Sequence, residues 1–107
     1  MPSIHRFTGL GLAAALTAIS SACLAQKTDL EFGRYLATEC LTCHRSGTAG
    51  SAIPNIFGMQ ETTFAALIKA YRDKQLPNPV MQNVAGRLRD EEIAALAAYF
   101  ATEKKPK

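Results

Sequence analysis

Five consecutive residues, Cys40-Leu41-Thr42-Cys43-His44, constrain this chain more than any other feature. They set two thiols and an imidazole within little more than one helical turn. Residues three apart on a helix share a face, with Cβ atoms about 5–6 Å apart, so both sulfurs can meet one flat partner. Two cysteines so close in sequence are a poor long-loop disulfide. The third cysteine, Cys23, lies in a segment that reads as removable. At 107 residues the chain is one small domain. A domain of this size commonly needs a disulfide, a metal or a bound group to complete its core, and the run at 40–44 is the natural place for one.

Composition narrows the class further. Hydrophobic residues at 48%, charged residues at 20% and a mean hydropathy of −0.01 exclude a disordered chain and a polytopic one. The net charge of +3 is spread over interspersed acids and bases, which does not point to nucleic acid as a partner.

The N-terminus has three parts: a short start carrying Arg6, an apolar stretch from Phe7 to Ile19, and small residues ending in Cys23-Leu24-Ala25. This is the pattern of a secretory signal peptide, with cleavage expected after Ala25. Residues 1–25 are thus expected to be the leader and residues 26–107 the mature domain, without a transmembrane segment. The apolar stretch falls short of the ~20 residues that a permanent spanning helix needs. Ser20-Ser21-Ala22-Cys23 also resembles a lipidation box but lacks the usual aliphatic residue three places before the cysteine, so a lipid anchor on Cys23 is the lesser alternative. Either route places the folded part outside the cytoplasm, and the periplasm is the expected compartment.

The mature chain reads as all-α. Gly33, Leu36, Cys40 and Cys43 recur at spacings of three and four, which predicts a helix from Asp29 to about Cys40. Glycine inside a helix costs about 1 kcal/mol relative to alanine, so Gly33 is expected to serve close approach by another helix. His44 to Gly58 reads as a wrapped loop. Phe64, Leu67, Ile68 and Tyr71 make one apolar helical face opposite Lys69, Arg72 and Asp73. Leu76-Pro77-Asn78-Pro79 is expected to end that helix, with the chain then extended through Met81. A last helix is expected near Asp90, with Asp90, Glu91 and Glu92 favouring the positive end of its dipole and Ile93, Leu96, Ala97 and Phe100 on one face.

Cys-x-x-Cys-His is the attachment signature of c-type haem: two thioether bonds and a proximal histidine to iron. Two other readings compete. A structural zinc site needs four protein ligands, and once the leader takes His5 away, no cysteine or histidine remains beyond Cys40, Cys43 and His44. A redox dithiol would sit beside a βαβ pattern, and no strand is evident. Haem is therefore favoured, and it supplies the core that so short a chain lacks.

With no other histidine in the mature chain, the sixth iron position falls to methionine, to water or to nothing. Met81, behind the stiffened Pro77-Asn78-Pro79-Val80, is preferred to Met59, which follows the flexible Gly58. Methionine with histidine raises the potential and leaves no open site, which favours electron transfer over oxygen or peroxide chemistry.

These residues resemble a class I c-type cytochrome: Gly33-Arg34-Tyr35-Leu36 ahead of the Cys40–His44 run, then Ile53-Pro54, Pro79-Val80-Met81 and Leu96-Ala97-Ala98-Tyr99-Phe100. The resemblance implies about three main helices wrapped around one haem, with the first and last crossing where Gly33 meets Tyr99 or Phe100. It implies that the Pro54 carbonyl accepts a hydrogen bond from the His44 ring. Within the family, Ala52-Ile53-Pro54, Ala70-Tyr71-Arg72 and Pro79-Val80-Met81 are similar to the cytochrome subunit of flavocytochrome c sulfide dehydrogenases. Arg89 departs from the serine or threonine cap of relatives, and the cap is expected to shift to Asp90. The function implied is one-electron transfer between redox partners, such as a flavoprotein dehydrogenase or a terminal reductase or oxidase, rather than catalysis by the chain itself. A permanent haem subunit of a flavoprotein dehydrogenase is the alternative, and a five-coordinate ligand-binding or peroxidase-like protein the more distant one. Lys69, Arg72, Lys74, Arg87 and Arg89 read first as a solvated face, with a docking rim around the haem edge as the lesser alternative.

Overall fold

The computed structural model describes residues 3, 4, 9, 18–44 and 53–104, and these contain four α-helices and no strand. Helix α1 spans Ala18–Leu41. It begins well before Asp29 and crosses the expected cleavage point; no glycine or proline lies between Ala18 and Gly33, and the alanines, leucines, Gln26 and Lys27 there are good helix formers. The rest of the expected leader lies almost wholly outside the described residues. No described helix is long and apolar enough to cross a membrane.

Helix α2 spans Glu61–Arg72 and ends earlier than Leu76-Pro77 required. The chain turns through Lys74 in the left-handed region, φ 59°. There Lys74 N–H donates to the Tyr71 carbonyl at 3.0 Å and Gln75 N–H to the Ala70 carbonyl at 2.8 Å. These bonds satisfy the last carbonyls of α2 before any proline is reached.

Pro79-Val80-Met81 is not extended. It opens a further helix, α3, over Pro79–Gly86. Proline is well suited to the first helical position, where its missing N–H is one of the unpaired donors in any case. Asn78 precedes it in extended backbone as the N-cap. The prolines here act as a start signal as well as a stop.

Helix α4 spans Asp90–Thr102, where the acids and the apolar spacing place it. The cap does not shift to Asp90: Arg89 is the N-cap, and its backbone N–H donates to Glu92 Oε2 at 2.8 Å. A glutamate at the third position thus performs half of a capping box without a serine or threonine partner. That hydrogen bond, with the Arg89 guanidinium behind it, holds the Glu92 carboxyl below its ordinary pKa.

Helix α1 packs on α4, and α2 packs on both α3 and α4. Gly33 is buried at the first crossing. A Cβ built there would meet the Ala95 carbonyl oxygen and lie 2.8 Å from Tyr99 Cβ. The expected contact with Tyr99 is present, and Ala95 is its second half. Gly33→Ala is therefore expected to lower the unfolding free energy by about 1–3 kcal/mol. Overpacking at a backbone oxygen, which has no rotamer to escape to, outweighs the ~1 kcal/mol gain in helix propensity. Urea denaturation reads this directly, and an unchanged or higher midpoint would show that α1 and α4 do not touch at Gly33.

Phe100 is fully buried with Ile93 and Leu96. Its ring stacks on Phe64 at 5.4 Å and meets Phe57 edge-on at 5.7 Å, and its carbonyl accepts the Gly58 N–H at 2.8 Å. One residue of α4 thereby ties down α2 and the segment leading into it.

Candidate functional site

The C-terminus of α1 delivers the thiols and the imidazole as one unit. The helix closes through hydrogen bonds from Cys43 N–H and His44 N–H to the Cys40 carbonyl, at 3.2 and 2.8 Å. The three side chains thus stand on a single closing turn. His44 Nδ1 lies 2.8 Å from the Pro54 carbonyl oxygen. A carbonyl only accepts, so Nδ1 carries the proton and donates. In the neutral ring this leaves the Nε2 lone pair for a metal. The arrangement is the one implied by the resemblance.

Pro54 belongs to a segment with its own anchors. Asn55 Oδ1 accepts the Phe57 N–H at 3.3 Å, an Asx turn. Ile56 is buried in the core, and Gly58, with φ 73°, turns the chain toward α2. The acceptor opposite His44 is therefore fixed by packing. Residues 45–52 of the expected wrapped loop lie outside the described residues.

Cys40, Cys43 and His44 line a cavity of about 580 Å³, a size suited to a cofactor. Ile53, Pro54 and Ile56 continue the wall on the His44 side; Phe64, Leu67, Ile68 and Tyr71 come from α2; Asn78, Val80 and Met81 come from the start of α3, and Met59 also borders it. No charged side chain is among the described residues lining it. Ile53, Leu67 and Val80 stay exposed at 44%, 39% and 65%, so the cavity offers a broad apolar surface to a flat partner. Two thiols spaced for thioether attachment, one imidazole and this apolar wall fit a haem.

The competing chemistries fit less well. Cys40 and Cys43 are not bridged to each other, and burial, helped by the Glu39 charge, pushes the Cys40 thiol up to about 11. Dithiol catalysts need the opposite shift, toward thiolate at neutral pH. Among the described residues no group of three or more His, Cys, Asp or Glu is arranged to hold a metal ion.

Sequence periodicity assigns Phe64, Leu67, Ile68 and Tyr71 to a single core face. In the structure Phe64 and Ile68 are buried while Leu67 remains exposed, and all four border the cavity. Asn78 is among the cavity residues that the sequence does not assign to the site, although asparagine directly before proline is a helix-start signal.

The basic rim is largely engaged elsewhere. Arg72 Nη1 donates to Asp90 Oδ1 at 2.7 Å and to the Leu88 carbonyl at 3.4 Å, joining α2 to the start of α4. This guanidinium holds the Asp90 carboxyl below its ordinary pKa. Arg87 lies 3.9 Å from Glu39, and Arg89 pairs with Glu91 and Glu92 at 3.4 and 3.3 Å.

All-helical architecture among the described residues, with a Cys-x-x-Cys-His turn opening on an apolar cavity that a methionine-bearing helix also lines, defines a c-type cytochrome. Residues 32–100 match the family described as cytochrome c oxidase, cbb3-type, subunit III, and the chain belongs to this family of cytochrome c domains. Cytochrome c-554(548) of Halomonas halodenitrificans is 38% identical over 83 residues, covering 71% of this chain and 98% of that protein. The thiosulfate dehydrogenase electron acceptor of Stutzerimonas stutzeri is 33% identical over 111 residues; the match covers 99% of this chain but 51% of that longer protein. The chain is thus a class I, mono-haem electron-transfer cytochrome carrying covalently bound haem c, and a carrier rather than an enzyme.

Proposed function

We propose that the chain is exported to the periplasm under a signal peptide spanning residues 1–25 and there passes single electrons between redox proteins. Cys40 and Cys43 hold the haem through thioether bonds, and His44 and Met81 ligate its iron. The observation that carries this reading is the convergence of the Cys40–His44 turn and Met81 on one apolar cavity, with His44 oriented by Pro54.

The haem supplies the one-electron ferrous–ferric couple. The protein residues have separate tasks around it. Pro54, by accepting a hydrogen bond from Nδ1–H, fixes the tautomer of the neutral ring and its orientation, which tunes a metal ligand. Ile56, Phe64 and Ile68 exclude water, and a dry surrounding helps set the potential. Exposed Ile53, Leu67 and Val80 leave an apolar edge for transient contact with a partner. The relative named as a thiosulfate dehydrogenase electron acceptor supports a dehydrogenase that oxidises reduced inorganic sulfur as the electron donor.

The oxidised protein, purified from an exporting host, tests the reading. Covalent haem with the weak sulfur-to-iron band at the far-red edge of the spectrum is expected, on a chain beginning at Gln26 by mass. Covalent haem without the band would mean an open or differently filled sixth position and would favour ligand binding. A lipid mass on Cys23 would replace the soluble form by an anchored one. Co-purification with a flavoprotein would make the chain a permanent subunit.

A further inference from the structure

Met81 stands in the first turn of α3 inside a bracket of hydrogen bonds. Asn78 Oδ1 accepts the backbone N–H of Met81 itself at 3.1 Å. The Asn78 carbonyl accepts the Gln82 N–H at 2.8 Å, and Gln82 Nε2 donates back to the Leu76 carbonyl at 2.9 Å. Pro77 and Pro79 flank Asn78 and restrict the backbone on both sides of it. Pro79 has no N–H, so Asn78 satisfies one of the few unpaired donors at this helix start, and that donor belongs to the residue whose side chain reaches the cavity.

An eight-residue helix has little stability of its own, because nucleation is costly and each end leaves backbone groups unpaired. Helix α3 packs against α2, and Ala85, near its far end, is buried. Its first turn, where Val80 is exposed at 65%, depends on the cap to stay wound.

We propose that Asn78 is a positioning residue for the sixth iron ligand: by capping α3 at the Met81 amide it keeps the methionine in place and resistant to exchange. The proposal rests on Met81 being that ligand. Without the side-chain acceptor the first turn unwinds more readily, and an external ligand competes with methionine on better terms. Attachment through Cys40 and Cys43 is made from α1, and Asn78 is exposed, so the alanine variant retains both core and haem.

The test titrates imidazole into the oxidised holoprotein and follows haem absorption, alongside the reduction potential. Asn78→Ala is expected to bind imidazole about two- to thirtyfold more tightly than wild type, the range that loss of an N-cap produces in a local equilibrium. Its potential is expected to fall in step. Asn78→Ser and Asn78→Asp keep an acceptor of similar capping strength and are expected to restore behaviour close to wild type, which a loss of side-chain volume alone would not allow. If Asn78→Ala matches wild type in imidazole affinity and potential while Met81→Ala loses the far-red band, the positioning role is overturned and the ligand assignment stands. If Met81→Ala keeps the band, the ligand assignment fails, and the role of Asn78 falls with it.

Discussion

Met81→Ala is expected to abolish the sulfur-to-iron band and to lower the reduction potential on the order of 0.1 V or more, within the ~0.8 V span that axial ligands control. The effect is large because a thioether favours ferrous iron, and water or hydroxide in its place favours ferric iron. Met59→Ala is the matched control, since both methionines border the cavity. Met59 directly follows Gly58, a residue with positive φ, whereas Met81 sits in a capped helical turn whose amide is itself hydrogen-bonded. A thioether on such a turn is the one we propose for the iron. Loss of the band in Met59→Ala and its survival in Met81→Ala would exchange the two assignments.

The second large effect is on stability. Phe100→Ala is expected to lower the unfolding free energy by about 3–5 kcal/mol, the usual loss when a buried phenylalanine is truncated. Domains are stable by only about 5–15 kcal/mol, and one this small has little to spare. Phe100 is fully buried and its ring contacts Phe57, Phe64 and Tyr99. The loss therefore removes ring–ring contacts as well as area. The Phe57 contact lies three residues from Pro54, so the same variant is also expected to loosen the acceptor that orients His44. Urea denaturation of the holoprotein checks the first effect as a lower midpoint at nearly constant slope. A fall below about 1 kcal/mol would mean that the cavity collapses and the aromatic cluster is not the centre of this core.

Much of the fold and of the site is legible in the sequence, and the legible parts share a physical reason. The turn at Cys40–His44 is local: its chemistry comes from spacing alone, and the structure closes it with bonds between adjacent residues. Helix α4 is equally local, since its acids and its apolar period lie in one short stretch. Gly33 is readable because glycine in a helix needs a reason, and close approach of another backbone is the commonest one. The Pro54 acceptor comes from family resemblance; nothing in the spacing of residues 44–54 dictates it.

The differences between expectation and structure have a common cause as well. Taking both prolines near residue 78 as helix breakers misplaces two boundaries. Helix α2 ends before them at the left-handed Lys74, and α3 starts on Pro79 with Asn78 as its cap. Proline forbids a helix interior and favours a first turn, so its effect depends on the residues after it. Periodicity places Arg72 on a solvent-facing rim because it reports which side of its own helix a residue occupies. It does not report that Asp90 lies opposite.

From the amino-acid order alone come the attachment turn, the all-helical class, the need for a bound group to complete a small core, and two candidate methionines for the sixth position. Only tertiary structure decided that Leu67, Tyr71 and Val80 border the same cavity as Cys40 and His44, that Arg72 joins α2 to α4, and that Met81 stands on a helix rather than on an extended strap. Local rules of spacing and capping act over one or two turns. Which faces meet is settled by burial and by pairing between residues far apart in the chain, where no local signal reaches.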